Sequence, residues 1–336
     1  MKSSPFFISF GLSLFFVVLL SRPDLCASEK ALVEIQSSVG ETSDGVRQSK
    51  LSSSYRNHRR YPGWKYEGEA SDQWDLGGEL TTSRGSNLLN RFQVVGVRGQ
   101  VGRQLSEFQL IDFGLGGIFA NDLGTGKIES ALVGMAKWSG EVSRSFSFVT
   151  TAERASTTFD YLQPERSSLG LLSVKVSVAT TYRLAESVKL GFGFAETWIN
   201  DSNRKTDVQL STMYGFSTGV PWIWAGFEAG TFSNSDKKAA YWSPTRFSFF
   251  GPRIESSFEF WKKSDVWILS GGLSGGISLI KEEQNASGLS YSVTPGLSFG
   301  DRNLRLFQLS YGRILSKQGS GEWSQNEVRL SGSFSL

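Results

Sequence analysis

The stretch that decides the fold is Glu327-Val328-Arg329-Leu330-Ser331-Gly332-Ser333-Phe334-Ser335-Leu336. Successive side chains of an extended strand point to opposite sides, so alternate residues share a face. One face carries apolar or small residues, at Val328, Leu330, Gly332, Phe334 and Leu336. The other face carries Glu327, Arg329 and serines. This period of two indicates a β-strand with one apolar face.

The same alternation recurs along the chain, with apolar residues or glycine at every second position of 172–178, 188–194, 267–279 and 291–299. Clusters of Asn, Asp, Ser and Gly lie between these segments and are typical of turns. We predict sixteen strands, within a range of 12 to 18. The predicted strands are 31–40, 46–58, 64–76, 88–103, 105–120, 125–139, 141–153, 168–183, 186–199, 204–217, 220–233, 244–260, 265–282, 287–300, 302–316 and 323–336.

Alternation alone does not distinguish a membrane barrel from a soluble β-sandwich, which also has one buried face and one wet face. Three features favour the barrel. The polar face holds mostly Ser, Gly, Ala and Thr rather than charged residues, and the chain is rich in glycine and aromatics at a mean hydropathy of only −0.20. Aromatic residues cluster near strand ends, as the girdles of membrane barrels do, at Tyr182, Trp198, Trp222, Trp224, Tyr241, Trp242 and Trp261. The last strand ends on an apolar residue. The predicted fold class is all-β, a transmembrane antiparallel up-and-down β-barrel of about 16 strands.

The first 27 residues are predicted to form a separate unit. Lys2 precedes an apolar run over Phe6 to Leu20, and a polar stretch then leads to Ala27. This arrangement indicates a signal peptide at 1–27, followed by an outer-membrane barrel at 28–336. A membrane anchor is the alternative, although the run is short for a spanning helix; lipidation at Cys26 is disfavoured by the bulky Leu25 before it. The predicted location is the outer membrane of a Gram-negative bacterium.

Residues that carry catalytic chemistry are scarce. The one histidine, His58, lies in a basic run, and Glu282 and Glu283 are adjacent, so that on a strand they would point to opposite faces. No metal-ligand spacing or dinucleotide fingerprint is present, and the glycines of Gly114-Leu115-Gly116-Gly117 indicate close packing or a kink within a strand. The net charge of +3 gives no reason to expect nucleic acid as a partner. We therefore expect no enzyme activity and no cofactor.

One motif is more specific. Tyr241-Trp242-Ser243-Pro244-Thr245-Arg246-Phe247 resembles the aromatic-aromatic-Ser-Pro-x-x-aromatic motif of the cellulose-synthase-operon exporters, in which periplasmic tetratricopeptide repeats precede a C-terminal outer-membrane barrel. Its matching residues are Tyr241, Trp242, Ser243, Pro244, Arg246 and Phe247. The resemblance covers about residues 140–300 and implies a porin-like conduit for polysaccharide export. This chain has no tetratricopeptide repeats, so the resemblance implies either that a separate periplasmic repeat protein supplies them or that the barrel has been put to another use. The alternative for the motif is structural, with Tyr241 and Trp242 as girdle residues.

The leading functional hypothesis is an outer-membrane channel for polysaccharide export or similar passive transport. Its predicted lumen-lining residues, which lie opposite the apolar set on their strands, are Lys175, Lys189, Glu327 and Arg329. Val328, Leu330, Phe334 and Leu336 form a predicted C-terminal signal for the barrel-assembly machinery. Outer-membrane lipid, lipopolysaccharide and a polysaccharide are the other expected partners. The alternatives are a closed structural or surface-interaction barrel and, third, an outer-membrane enzyme.

Overall fold

Sixteen antiparallel strands close into a single barrel in the computed structural model. The structure describes residues 32–43, 45–56, 74–86, 91–156, 172–217, 219–238, 243–263, 267–283, 287–300, 306–318 and 321–335. Each strand pairs with its neighbours in sequence, and β1 pairs with β16, so no sheet edge is left unpaired among the described strands. This confirms the predicted fold class and strand number. No helix in these ranges has the length and apolar character needed to span a membrane.

The strands follow one another in chain order around the barrel. They are β1 Leu32–Thr42, β2 Arg47–Arg56, β3 Trp74–Ser86, β4 Arg91–Ser106, β5 Gln109–Asp122, β6 Ile128–Ser143, β7 Phe146–Ser156, β8 Leu172–Ala185, β9 Val188–Ile199, β10 Arg204–Ser217, β11 Trp222–Asn234, β12 Phe247–Lys263, β13 Trp267–Glu282, β14 Gly288–Gly300, β15 Phe307–Gln318 and β16 Gly321–Ser335.

The third strand differs from the prediction. The sequence predicts it at 64–76, but it runs over Trp74–Ser86, and most of the predicted segment lies outside the described residues. Its apolar face is sparse, with Leu76 and Leu80 separated by glycine and followed by threonine and arginine. Pairing with β2 and β4 on either side, rather than apolar alternation, establishes this strand.

The inner and outer faces of the barrel are distinguished by ion pairs between strands that are not neighbours. Arg98 of β4 contacts Glu153 of β7, and Lys189 of β9 contacts Glu255 of β12. Side chains of strands three apart meet only on the concave side of a closed sheet, so these residues face the lumen. Alternate residues then face outward, and the large exposed apolar side chains of β8 and β9 lie there, at Val174, Val176, Leu190, Phe192 and Phe194.

Outward-facing aromatics follow the girdle prediction in part. Tyr182, Trp198 and Trp261 lie on the outer face and are nearly half exposed. Trp222 and Trp224 do not: they share a face of β11 with Glu228, and the Lys189 ammonium lies 4.7 Å from the Trp224 ring centroid. The girdle prediction is therefore wrong for these two tryptophans, which face the lumen.

The two rims of the barrel differ in their connections. At one rim, five of the seven connections have two to four residues, and the exceptions are 57–73 and 301–306; we call this the short-turn rim. At the other, the loop rim, seven of the eight connections have four or more residues, including 123–127 and 235–246, and the exception is 319–320. Short turns at the periplasmic side and longer loops at the cell surface are typical of outer-membrane barrels. The loop rim is therefore expected to face the outside of the cell. Near it, a small apolar cluster of Phe92, Val94 and Ala120 packs inside the barrel.

Candidate functional site: the lumen of the barrel

One side of the lumen is formed by β13, β14 and β15. The described inward residues of β13 between Ile268 and Ile280, and the inward residues of β14 and β15 that pair with this segment, include no charged side chain. We call this side the neutral wall. Its inward residues are Ser270, Gly272, Ser274, Gly276, Ser278, Ser290, Ser292, Thr294, Gly296, Ser298, Gln308, Ser310, Gly312, Ile314 and Ser316. The hydroxyl groups of Ser270 and Ser298, on the neighbouring strands β13 and β14, form a hydrogen bond of 2.8 Å. Most of these side chains are short, and many of them carry a hydroxyl group on the lumen face.

A second side, formed by β2 to β5 and β7, is charged, and we call it the ionic wall. Arg56 donates hydrogen bonds to Asp112 at 2.9 Å and to Gln100 at 3.1 Å, and lies 3.6 Å from Asp75. Both aspartates are almost completely buried. A buried carboxylate needs a cation and hydrogen bonds to remain ionised at low cost, so the contacts of Arg56 tie four strands, β2 to β5, together.

The ionic wall continues through Arg98, which donates to Glu79 and reaches Glu153 at 3.5 Å. To reach β7, the Arg98 side chain crosses the inner surface of β5 at Gly114, where an added Cβ would lie 2.9 Å from Arg98 Cδ. The close-packing interpretation of the Gly114 segment fits this geometry. The absence of a side chain there opens the path for the guanidinium.

A third feature, the aromatic track, follows β11 and β12 from rim to rim. At its centre Arg253 donates to Glu228 at 2.8 Å and to Glu255 at 3.0 Å, and Lys189 donates to Glu255 at 3.2 Å. Aromatic rings flank this ion-pair centre on both sides. Towards the short-turn rim, the Lys189 ammonium sits over the Trp224 ring, an arrangement in which the cation is attracted to the face of the aromatic system.

Towards the loop rim, the track ends in stacked phenylalanines. Phe232 and Phe247 stack with ring centroids 5.0 Å apart, and the Lys205 ammonium lies 4.4 Å from the Phe232 centroid. Phe249 lies over Gly230, where a Cβ would come within 2.5 Å of the ring. The track therefore presents rings at both ends and a balanced set of charges between them, and it adjoins the neutral wall where β12 pairs with β13.

The four predicted lumen-lining residues occupy inward positions. Lys189 belongs to the centre of the aromatic track, whereas Lys175 lies opposite Glu153 and has no ion pair within the described part of the chain. Glu327 and Arg329 follow each other on the inner face of β16 and pair at 3.1 Å. Whether these residues act on a permeating solute stays a prediction.

The motif that carries the family resemblance lies at the loop between β11 and β12. Tyr241 and Trp242 are outside the described residues. Ser243 is buried, and its hydroxyl accepts a hydrogen bond from the Lys238 backbone N–H at 2.6 Å. The Asn234 side chain donates to the Pro244 carbonyl at 2.8 Å. Phe247 belongs to the stacked pair of the track, and the Arg246 carbonyl accepts from the Glu283 N–H at 2.8 Å.

Glu283 anchors this loop from the end of β13, a role that sequence reasoning missed. Its carboxylate accepts from the Thr245 N–H at 2.8 Å and from the Thr245 hydroxyl at 3.0 Å, and it pairs with the Lys237 ammonium. The hydrogen bond from Lys237 is the main cause that lowers the pKa of Glu283, followed by the Thr245 backbone N–H. The signal in the sequence is only a glutamate beside a turn, which does not show its partner.

Because the pKa of Glu283 is lowered in the folded protein, the anchor stabilises the loop above the ordinary glutamate pKa and is lost as the pH falls through the lowered value. We expect Glu283→Gln to raise the rate of trypsin cleavage after Lys237 and Lys238 several-fold at neutral pH, since an amide cannot pair with the ammonium. Glu282→Gln is the matched control. Equal cleavage rates in the two variants would contradict the anchor.

The remaining predicted positions give a mixed outcome. Val328 and Leu330 lie on the outer face of β16, and Phe334 packs over Gly332 on the same face. Leu336, His58 and the predicted signal peptide lie outside the described residues. Their roles stay predictions. The described ranges hold no group of three or more His, Cys, Asp or Glu side chains arranged to bind a metal ion.

Comparison with known proteins rests on structure, since no family model and no curated protein matches the sequence. A bacterial polysaccharide outer membrane secretin superimposes with a TM-score of 0.72 at 13% identity, covering 92% of this chain and 99% of that one. OpdQ of Pseudomonas aeruginosa gives 0.42 at 9% identity, covering 91% and 99% of the two chains. OccAB4 of Acinetobacter baumannii gives 0.45 at 8%, covering 94% and 100%.

This chain shares the barrel fold of the polysaccharide secretin over nearly its whole length. The family resemblance predicts a barrel of the polysaccharide-porin type, and that fold is confirmed. At 13% identity the likeness to the secretin concerns the fold alone.

Proposed function

We propose that this protein is an outer-membrane channel that conducts polysaccharide, or a similar hydrophilic solute, passively across the membrane. The observation that carries the proposal is the lumen, in which a hydroxyl-rich neutral wall adjoins an aromatic track with paired charges. Sixteen-stranded barrels are wide enough to leave an aqueous channel. The secretin that shares the fold is a polysaccharide protein by name, which supports the same solute class.

The chemistry of the lumen suits a sugar chain. Serine hydroxyls such as Ser274 and Ser292 both donate and accept hydrogen bonds, as sugar hydroxyls do. The faces of Trp224 and Phe232 offer apolar surface to the flat side of a sugar ring, and the adjacent lysines bind acidic or hydroxyl groups. Many weak contacts of this kind hold a polymer without trapping it, which passive conduction requires.

The proposal includes partners and location. Export from the cell requires a driving force that a barrel does not supply, so synthesis at the inner membrane and a separate periplasmic repeat protein belong to the proposed system. Insertion into the outer membrane is expected to depend on the assembly machinery reading β16 through Val328, Leu330, Phe334 and Leu336. No catalytic step is assigned to the lumen.

Single-channel conductance of residues 28–336 in a planar bilayer tests the proposal. We expect steady openings, which oligosaccharides added to one side block in a concentration-dependent way, because a stacked sugar displaces ions from the lumen. A protein that runs as a heat-modifiable barrel on a gel but never conducts would contradict the channel. It would favour the second candidate, a closed structural or surface-interaction barrel.

A further inference from the structure

Three arginines lie together on the outer face of the barrel at the loop rim. Arg47, Arg84 and Arg91 belong to β2, β3 and β4, which are adjacent strands. Arg47 and Arg91 are both opposite Ser86 of β3, one from each side, and Arg84 is two residues from Ser86 on the same face. Neighbouring strands are about 4.8 Å apart, so the three side chains start within roughly 10 Å of one another. We call this set the arginine triad.

The outward direction of the triad follows from its neighbours. Leu80 and Leu76 share the face of Arg84 along β3, and Val97 shares the face of Arg91 along β4; all three apolar side chains are exposed. Those residues belong to the apolar band that contacts lipid tails in a membrane barrel. The triad therefore lies directly above this band, at the height of lipid headgroups.

The charge of the triad is mostly uncompensated. Glu41 is the one acidic residue on the outer face of β1 to β5 in the described ranges, and it contacts Nε of Arg47 at 3.2 Å. The terminal amino groups of Arg47 remain available, and its side chain is 71% exposed. Arg84 and Arg91 are exposed and form no ion pair with a described residue. Three guanidinium groups of like charge on adjacent strands repel one another unless an anion lies between them.

We infer that the arginine triad is a binding site for the phosphate groups of lipid A, the lipid anchor of lipopolysaccharide in the outer leaflet. Guanidinium groups bind phosphate oxygens through paired, charge-assisted hydrogen bonds, and a rigid sheet holds the three groups in a fixed pattern. A lipid rather than a free anion fits, because the site sits directly above an apolar band that holds acyl chains. The inference is independent of the proposed channel, since no residue of the triad faces the lumen.

The control for this site is present in the same barrel. Arg154 of β7 also points outward and is exposed, but its partners across the sheet are Gly134 and Val174. No second cation lies beside it on those two strands. An isolated exposed arginine attracts an anionic surface weakly, whereas three converging on one headgroup act together.

The experiment is native mass spectrometry of the folded barrel in detergent, titrated with bisphosphorylated lipid A. We expect the triple variant Arg47→Gln, Arg84→Gln, Arg91→Gln to bind lipid A roughly a hundredfold more weakly than the wild type, and each single variant about fivefold more weakly. Monophosphoryl lipid A with the same acyl chains is expected to bind the wild type more weakly. Arg154→Gln is expected to bind bisphosphorylated lipid A like the wild type.

The inference would be overturned by unchanged affinity in the triple variant, by an equal loss in Arg154→Gln, or by equal affinity of the wild type for phosphatidylglycerol. Competition by millimolar inorganic phosphate as effective as that by lipid A would also overturn it, because the site would then bind a free anion. Heat-modifiable migration on a gel checks that each variant is folded. If the triple variant does not fold, the three single variants provide the same comparison.

Discussion

The Gly226→Ala substitution is expected to prevent formation of the folded barrel. Gly226 faces the lumen from β11, opposite Met213 of β10, and an alanine Cβ there would lie 1.8 Å from the Thr212 carbonyl oxygen. That distance is far inside van der Waals contact, and the obstructing atom is backbone, so only a shift of one strand relieves the clash. Such a shift breaks the ladder between β10 and β11, and overpacking of this kind costs about 3 kcal/mol or more.

Gly193→Ala is the matched control for Gly226→Ala. Gly193 also faces the lumen, from β9 on the other side of β10, and the nearest atom to an added Cβ is Gln209 Cβ at 3.6 Å, an ordinary contact. The measurement is the fraction of refolded protein that shows heat-modifiable migration, together with the urea concentration at half unfolding. A folded Gly226→Ala barrel with the stability of Gly193→Ala would show that the strands are not packed as closely as the structure has them.

The sequence predicts the strands well where one face is consistently apolar. In β8, Val174 and Val176 alternate with Ser173, Lys175 and Ser177, and the structure places the valines outward and Lys175 inward. A lipid-facing surface requires apolar residues at every second position, so the period of two is strong in these segments. In β3 the outward positions after Trp74 have only Leu76 and Leu80 as large apolar residues, and the alternation is too weak to locate the strand.

The sequence predicts which face of a strand lines the lumen, but it does not predict which side chains meet there. Sequence reasoning assigns Trp222 and Trp224 to the girdle because tryptophan suits a membrane interface, but their strand is apolar on both faces near its start. The ion pairs of the lumen join strands three apart, and Arg98 and Glu153 are 55 residues apart in sequence. Their contact depends on the curvature of the closed sheet and on the register between strands, which local patterns do not contain.

Reversal of two lumen charges, Lys175→Glu together with Lys189→Glu, is expected to shift the ion selectivity of the pore towards cations by several-fold at about 0.1 M salt. Lys175 has no ion pair in the described ranges, so its replacement places an unpaired acid opposite Glu153. Replacement of Lys189 also removes a cation from Glu255, and the track then holds Arg253 with three carboxylates around it. Both changes make the potential in the lumen more negative.

The control for this reversal lies at the same height on the opposite face. Arg154 pairs across the sheet with Val174, the residue next to Lys175, and points outward. Arg154→Glu therefore changes the net charge of the same region without altering the lumen.

The measurement is the reversal potential in a KCl gradient across the bilayer. An unchanged potential in the double variant would remove Lys175 and Lys189 from the conduction path, whereas an equal shift in Arg154→Glu would assign the effect to the charged surface around the pore. A shift confined to the double variant would place the permeating ions beside the aromatic track, where a sugar chain is proposed to pass.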